Sequence, residues 1–327
     1  MFDQICRQSY NRFNAIIYRT YGFRMDPLSD VFLLLRVESM LSARIEVSGP
    51  WSMRFSEYEH IKFAGVLEGS FWLWFEDDTP PVKLNAGDFY LLTRGQPYCT
   101  GSDRSIKPVD GREVLAACRC PDGIVRYGDG GEKMSAAGGR FTFDVNTSEL
   151  LLRSLPPLIH VPATSESAGP LRAVLDLLRL ETESVRPGAS IAAVTLANMV
   201  LVQILRQHLA SGTNAPGWLS ALADPKIGAA LGCIHADVSR RWKVEELASA
   251  VAMSRTTFTE RFKALVGMPP FKYLTDWRIA LAGAALREGK SLSSVAESVG
   301  YGSDAAFNSA FKRLTGQSPG RYRSQSA

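Results

Sequence analysis

The side chains best equipped for chemistry in the amino-terminal two thirds of this chain are few and scattered. Cys118 and Cys120 flank Arg119. On a strand, residues two apart share a face. Such a pair could sense oxidants or hold a soft metal, with the guanidinium lowering a thiolate pKa. Two small apolar side chains packed inside a β structure is the preferred reading, because buried cysteine is usually inert. The four histidines, His60, His160, His208 and His235, lie far apart in sequence. His60 and Glu68 could converge, but one imidazole and one carboxylate make an incomplete metal site. No catalytic residue, metal ligand set or cofactor site is predicted. The aromatic residues Trp72, Trp74, Tyr90 and Tyr98 are instead candidates for lining an apolar effector pocket.

The elements that must position these residues read as β from about Asp30 to Pro162. Short runs (Ala43–Val47, Val66–Phe75, Phe89–Leu92, Val114–Cys118) alternate with Gly, Pro and Asp turn clusters. That rhythm predicts a sandwich or barrel. Alternation places Trp72 and Trp74 on one face and Phe71, Leu73 and Phe75 on the other. From Leu171 the period becomes helical, giving helices over Leu171–Val185 and Ile191–Leu209. The apolar run Leu196–Leu205 is too short to span a bilayer, and no signal peptide is evident. Five scattered cysteines fit a reducing cytoplasm.

The last hundred residues contain a repeat. Ser254, Phe258, Phe262, Lys263, Gly267, Pro270 and Tyr273 return 49 positions later as Ser303, Phe307, Phe311, Lys312, Gly316, Pro319 and Tyr322. Before the serine the offset is one less (Leu247-Ala248 against Val295-Ala296), the difference being absorbed by Gly302. Each copy reads as helix, tight turn, helix, with the serine as N-cap and the phenylalanines as a buried stripe. The second helices then turn Arg255, Thr256, Thr259, Glu260 and Lys263, and Asp304, Ala305, Asn308, Ser309 and Lys312, outward. The helix over Phe271–Arg287 could hold the two units about one turn of B-DNA apart, roughly 34 Å. Charge follows this division: residues 217–327 hold 15 Lys+Arg against 9 Asp+Glu, whereas residues 1–216 hold 22 against 24. A basic carboxyl-terminal part suits a phosphate-bearing partner.

Asp224 to Arg323 resembles the carboxyl-terminal domain of the AraC/XylS family of bacterial transcription regulators. The matching residues include Met253-Ser254, Arg261-Phe262-Lys263, Trp277-Arg278, Val299-Gly300-Tyr301, Phe311-Lys312-Arg313 and Ser318-Pro319. The resemblance implies that Thr256, Thr259 and Glu260, and Ala305, Asn308 and Ser309, read bases. Arg255, Lys263, Lys312 and Arg313 suit phosphate contacts. Glu260 has two open roles, accepting from cytosine N4 or pairing with Lys263. The segment Gly65…Gly87-Asp88…Gly95…Pro97 is similar to the cupin-like sensor domains of such regulators, with Tyr98 or Cys99 near where a ligand histidine would stand.

The expected protein is therefore multidomain. An extension (1–24) precedes an all-β cupin-like sensor barrel (25–165) and dimerisation helices (166–216). An all-α domain with two helix-turn-helix units (217–327) completes it. The resemblance implies a cytoplasmic, non-enzymatic transcription regulator, by family habit an activator. Its partners would be double-stranded promoter DNA, a second copy of itself, RNA polymerase and a small-molecule effector. The alternatives are a cupin-type metalloenzyme with a DNA-binding appendage and a ligand-independent constitutive regulator.

Overall fold

A computed structural model describes residues 26–35, 38–142, 155–165, 168–183, 187–210 and 217–324. The extension 1–24 lies outside the described residues. The described residues divide into two compact units, one within 36–223 and the other formed by 26–35 together with 224–324.

The first unit is built on two sheets. Strands β1 (Glu38–Ser48), β3 (Ile61–Glu68), β6 (Phe89–Leu92), β9 (Val125–Tyr127), β10 (Lys133–Thr142) and β11 (Leu158–Val161) form one, in the order β11-β6-β3-β10-β1-β9. Strands β2 (Ser52–Phe55), β4 (Ser70–Phe75), β5 (Val82–Asn85), β7 (Tyr98–Gly101) and β8 (Val109–Asp110) form the other, in the order β5-β4-β7-β2-β8. The predicted run Val66–Phe75 is thus two strands in different sheets, broken at Gly69. The core holds Trp51, Met53, Val66, Phe71, Leu73 and Tyr90, among others. The β4 burial alternates as read from sequence: Phe71, Leu73 and Phe75 are inside, while Trp72 and Trp74 are half-buried on the opposite face.

One predicted strand is a helix. Val114–Ala117 belongs to α2 (Gly111–Ala117) and Cys118 is its C-cap; the first turn is capped by the Asp110 carboxylate accepting from the Arg112 and Glu113 amides at 2.7 and 3.2 Å. Helices α3 (Gly169–Glu183) and α4 (Ala189–Ala210) pack on each other, α3 against β3 and β10 and α4 against β1, β6 and β11. Helix α4 is longer than its apolar run suggests. Its 22 residues include an 18-residue stretch with a mean hydropathy of 1.6, enough by length and composition to cross a membrane. Here Ala197, Val200, Leu201, Ile204 and Leu205 are buried in the unit. Helix α5 (Trp218–Leu222) ends it.

The second unit begins with α1 (Pro27–Leu35), where β structure is predicted from Asp30. Asp26 caps it, accepting from the Leu28 and Ser29 amides at 3.0 and 3.1 Å. The remaining helices are α6 (Pro225–Ala236), α7 (Val244–Ala250), α8 (Arg255–Val266), α9 (Pro270–Arg287), α10 (Leu292–Ser298), α11 (Asp304–Thr315) and α12 (Pro319–Ser324). Helix α1 packs on α6 and α9. Its Asp30 carboxylate can only accept, so His235 Nδ1 donates to it at 3.1 Å; Nε2 then accepts the Tyr273 hydroxyl at 2.7 Å. The His235 ring is also stacked 4.1 Å from Trp277. The His235 side chain is 1% exposed, so a lost partner leaves a buried polar atom unsatisfied. Asp30→Ala is expected to cost about 1–3 kcal/mol. Amide exchange in α6 and α9 measures it; unchanged protection would mean that α1 is incidental to the unit.

Candidate nucleic-acid interface

The two repeats fold as twins. In each, a short helix leads through a tight turn into a twelve-residue helix, α7 into α8 and α10 into α11. Ser254 Oγ accepts the Thr257 amide at 3.2 Å, and Ser303 Oγ accepts the Ala306 amide at 3.3 Å. Each hydroxyl satisfies a donor that the helix start leaves free. Gly267 and Gly316 close the two helices in the left-handed conformation, at φ 83° and 74°. Phe258 and Phe262, and Phe307 and Phe311, are fully buried with ring centroids 5.6 and 5.5 Å apart.

The turns between the paired helices differ instructively. Gly300 at φ 80° aligns with Ala252 at φ 51°, the one non-glycine residue at positive φ among those described. A side chain at Gly300 would strike the Ser239 carbonyl, so glycine is required there. Ala252 bears the left-handed strain in the open, its carbonyl accepting from Lys226 Nζ at 3.1 Å.

Every base-reading and phosphate residue assigned from sequence lies on the outer side of these helices. Thr256, Glu260, Ala305 and Ser309 are exposed, and Thr259 and Asn308 half-buried; Arg255, Lys263, Lys312 and Arg313 are exposed. The Thr259 hydroxyl donates to the Arg255 carbonyl at 2.9 Å and the Ser309 hydroxyl to the Ala305 carbonyl at 3.0 Å. Both therefore present lone pairs, not hydrogens, outward. Glu260 has no cation within 4 Å among the described residues, whereas Arg255 pairs with Glu245 at 3.1 Å. Arg261 turns inward to the Asp224 carboxylate, tying α8 to the capped start of α6. Helix α9, 18 residues and thus about 27 Å long, connects the twins.

In the first unit the four aromatic candidates do not gather. Tyr90 and Tyr98 lie in the core between the sheets, on the side opposite Trp72 and Trp74. Cys118 is the C-cap of α2 and Cys120 lies in the turn after it, so the strand geometry read for the pair does not hold. Arg119, between them, donates to the Gly123 carbonyl at 3.2 Å. His160 pairs with the buried Asp88 at 3.0 Å, and Asp88 also accepts the Asn85 and Ala163 amides. That aspartate closes a turn. Among the described residues no three His, Cys, Asp or Glu side chains gather as a metal site. A groove of about 450 Å³ runs along β11 and α4, past Leu158, His160, Gln207 and His208.

His60 sits instead against Tyr58, rings 5.1 Å apart, and burial with nearby Lys62, Arg140 and Arg112 pushes its pKa down to about 4. The folded protein thus holds it neutral, while the unfolded chain takes up its proton below about 6.5. In that window the unfolded state binds more protons, so stability falls as pH falls from 6.5 towards 4. In His60→Gln this decline is expected to flatten. Urea midpoints across that range test it, and parallel curves for the two proteins would refute it.

Two capped helix-turn-helix units with exposed second helices define a DNA-binding module. A cupin family profile matches residues 26–210 and a helix-turn-helix domain profile residues 247–325. The chain is 44% identical over 301 residues, 91% of its own length and 98% of the other's, to a protein of Streptomyces lividans described as a putative AraC-like transcription regulator. It is also 31% identical over 317 residues to the transcriptional regulator AlkR of Acinetobacter baylyi, covering 92% of this chain and all of AlkR. The protein belongs to the AraC family of transcription regulators. Among solved structures, the DNA-binding domain of AdpA in complex with a target DNA is 32% identical, covering 31% of this chain and 92% of that one, with a TM-score of 0.30.

Proposed function

We propose that this regulator is a cytoplasmic homodimer, without catalytic activity, that reads paired half-sites and activates transcription through RNA polymerase in response to an effector. The twin capped units carry this reading. Thr256, Thr259 and Glu260, and Ala305, Asn308 and Ser309, would meet base edges, with Arg255, Lys263, Lys312 and Arg313 on phosphates. The division that goes with it is a sensor within 36–165, dimerisation helices within 166–216 and a DNA-binding domain of 224–327 joined by helix α1.

Dimerisation is supported by apolar side chains left exposed on α3 and α4. Leu177, Leu180, Ile191, Val194 and Met199 are exposed, Ile191 by 74%. Burying them against a second copy would remove that area from water. A monomeric mass at micromolar concentration would defeat the claim.

The functional test is to sequence genomic fragments retained by the full protein at about 0.15 M salt, since affinity means little without stated ionic strength. Paired half-sites are expected. No enrichment, with or without cell extract, would sink the reading.

A further inference from the structure

On β3 the Lys62 amine stands in a box of aromatic rings. Its Nζ lies 4.9, 4.1 and 4.8 Å from the ring centroids of Phe55, Tyr58 and Tyr98, and donates to the Tyr98 hydroxyl at 3.3 Å. These rings come from β2, the loop after it and β7. The Phe55 and Tyr98 rings are stacked at 4.8 Å, and Tyr58 meets Tyr98 edge-on. Arg140 is the cross-strand partner of Lys62 in β10, and Arg112 reaches in from α2, donating to the Glu57 carbonyl at 2.7 Å.

Three features of this box are unusual together. Among the described residues, Lys62, Arg112 and Arg140 have no carboxylate within 4 Å. The Tyr58 hydroxyl is buried without a hydrogen-bond partner. The Tyr98 hydroxyl accepts from Nζ and keeps its own hydrogen to give. Two phenol hydroxyls with hydrogens to give, and the charges of Arg112 and the cross-strand Arg140, thus lie near the amine as donors that an anion formed there could use.

We infer that Lys62 is a carbamylation site, its amine combining with carbon dioxide to form a carbamate held by the Tyr58 and Tyr98 hydroxyls and the Arg112 and Arg140 charges. The Nζ lone pair forms the new C–N bond, one C=O pair moves onto oxygen, and an N–H proton passes to water. No other reactant is needed. The adduct adds only three atoms, which suits a site walled by three rings, and Lys62 is half-buried and so open to a dissolved gas. Burial, with the nearby Arg112, lowers the Lys62 pKa to about 8, so a reactive fraction of free amine exists near neutral pH. Among the described residues, the other titratable groups near it are His60, held neutral, and Tyr58, Tyr90 and Tyr98, whose phenols burial keeps protonated. None supplies a competing anion. The inference does not depend on the effector reading above, since the adduct is sought directly.

The test uses the full-length protein equilibrated with ¹³C-bicarbonate near pH 8, trapped by O-ethylation with a trialkyloxonium salt, and mapped by peptide mass spectrometry. Labelled ethoxycarbonyl-lysine is expected at Lys62 at least tenfold above the exposed Lys83 and Lys133, with that preference lost in urea. Tyr58→Phe, which keeps the ring but removes the donor, is expected to reduce the yield severalfold. Lys62 unlabelled, or labelled no more than the other lysines, would overturn the assignment. An unchanged yield in Tyr58→Phe would overturn the role given to that hydroxyl.

Discussion

Phe262→Ala is expected to destabilise the DNA-binding unit by about 3–5 kcal/mol, a large share of the roughly 5–15 kcal/mol that holds a domain folded. Phe262 is 0% exposed and meets Phe258 at 5.6 Å and Tyr273 edge-on at 6.0 Å. Truncation removes the transfer energy of the ring and leaves a cavity, because α8 is pinned at both ends and by Arg261 and cannot close over it. The same substitution at Phe311 is expected to cost about as much, since it meets Phe307 at 5.5 Å and Tyr322 at 5.2 Å. Denaturant unfolding would measure both, with transitions of the two compact units fitted separately. A loss under about 1 kcal/mol at either position would show that the stripe is not the core it is taken for.

Asn308→Ala is expected to relax specificity at one adenine of the operator by about 1–3 kcal/mol. Its carboxamide makes no hydrogen bond among the described residues and is free to bond an adenine edge with both its groups. Thr259→Ala should cost less, because the Thr259 hydroxyl already gives its hydrogen to Arg255 and offers DNA only a methyl group and lone pairs. Lys312→Ala is expected to weaken all sequences alike and reduce the salt slope by about one. Competition binding against operators with single base changes, at several salt concentrations, separates these. A uniform loss in Asn308→Ala would assign that residue to the backbone instead.

The legible parts of this protein were those whose signals are local. Ser254 and Ser303, four and eight residues ahead of their buried phenylalanines, fixed both second helices and their outward faces. The alternation in Phe71–Phe75 predicted two faces correctly; only the second sheet decided that the tryptophans lie outside. Two local signals were passed over. Asp110 with Glu113 three residues on is a helix start, as is Asp26-Pro27, yet short runs rich in β-branched and apolar residues drew both segments into the β reading. Other features had no local signal. Phe55, Tyr58, Lys62 and Tyr98 meet only because β2, β3 and β7 curl together, and the pairing of Asp30 with His235 spans 205 residues.

That last separation has a consequence for synthesis. At roughly 5–20 residues per second, translation makes Pro27–Leu35 about 10–40 s before His235. A nine-residue helix is marginal on its own, so Leu28 and Val31 must wait without their packing partners. Residues 36–223 have that interval in which to fold. The DNA-binding unit, split between Pro27–Leu35 and the residues from Asp224 on, is completed only after residues 36–223 have been made.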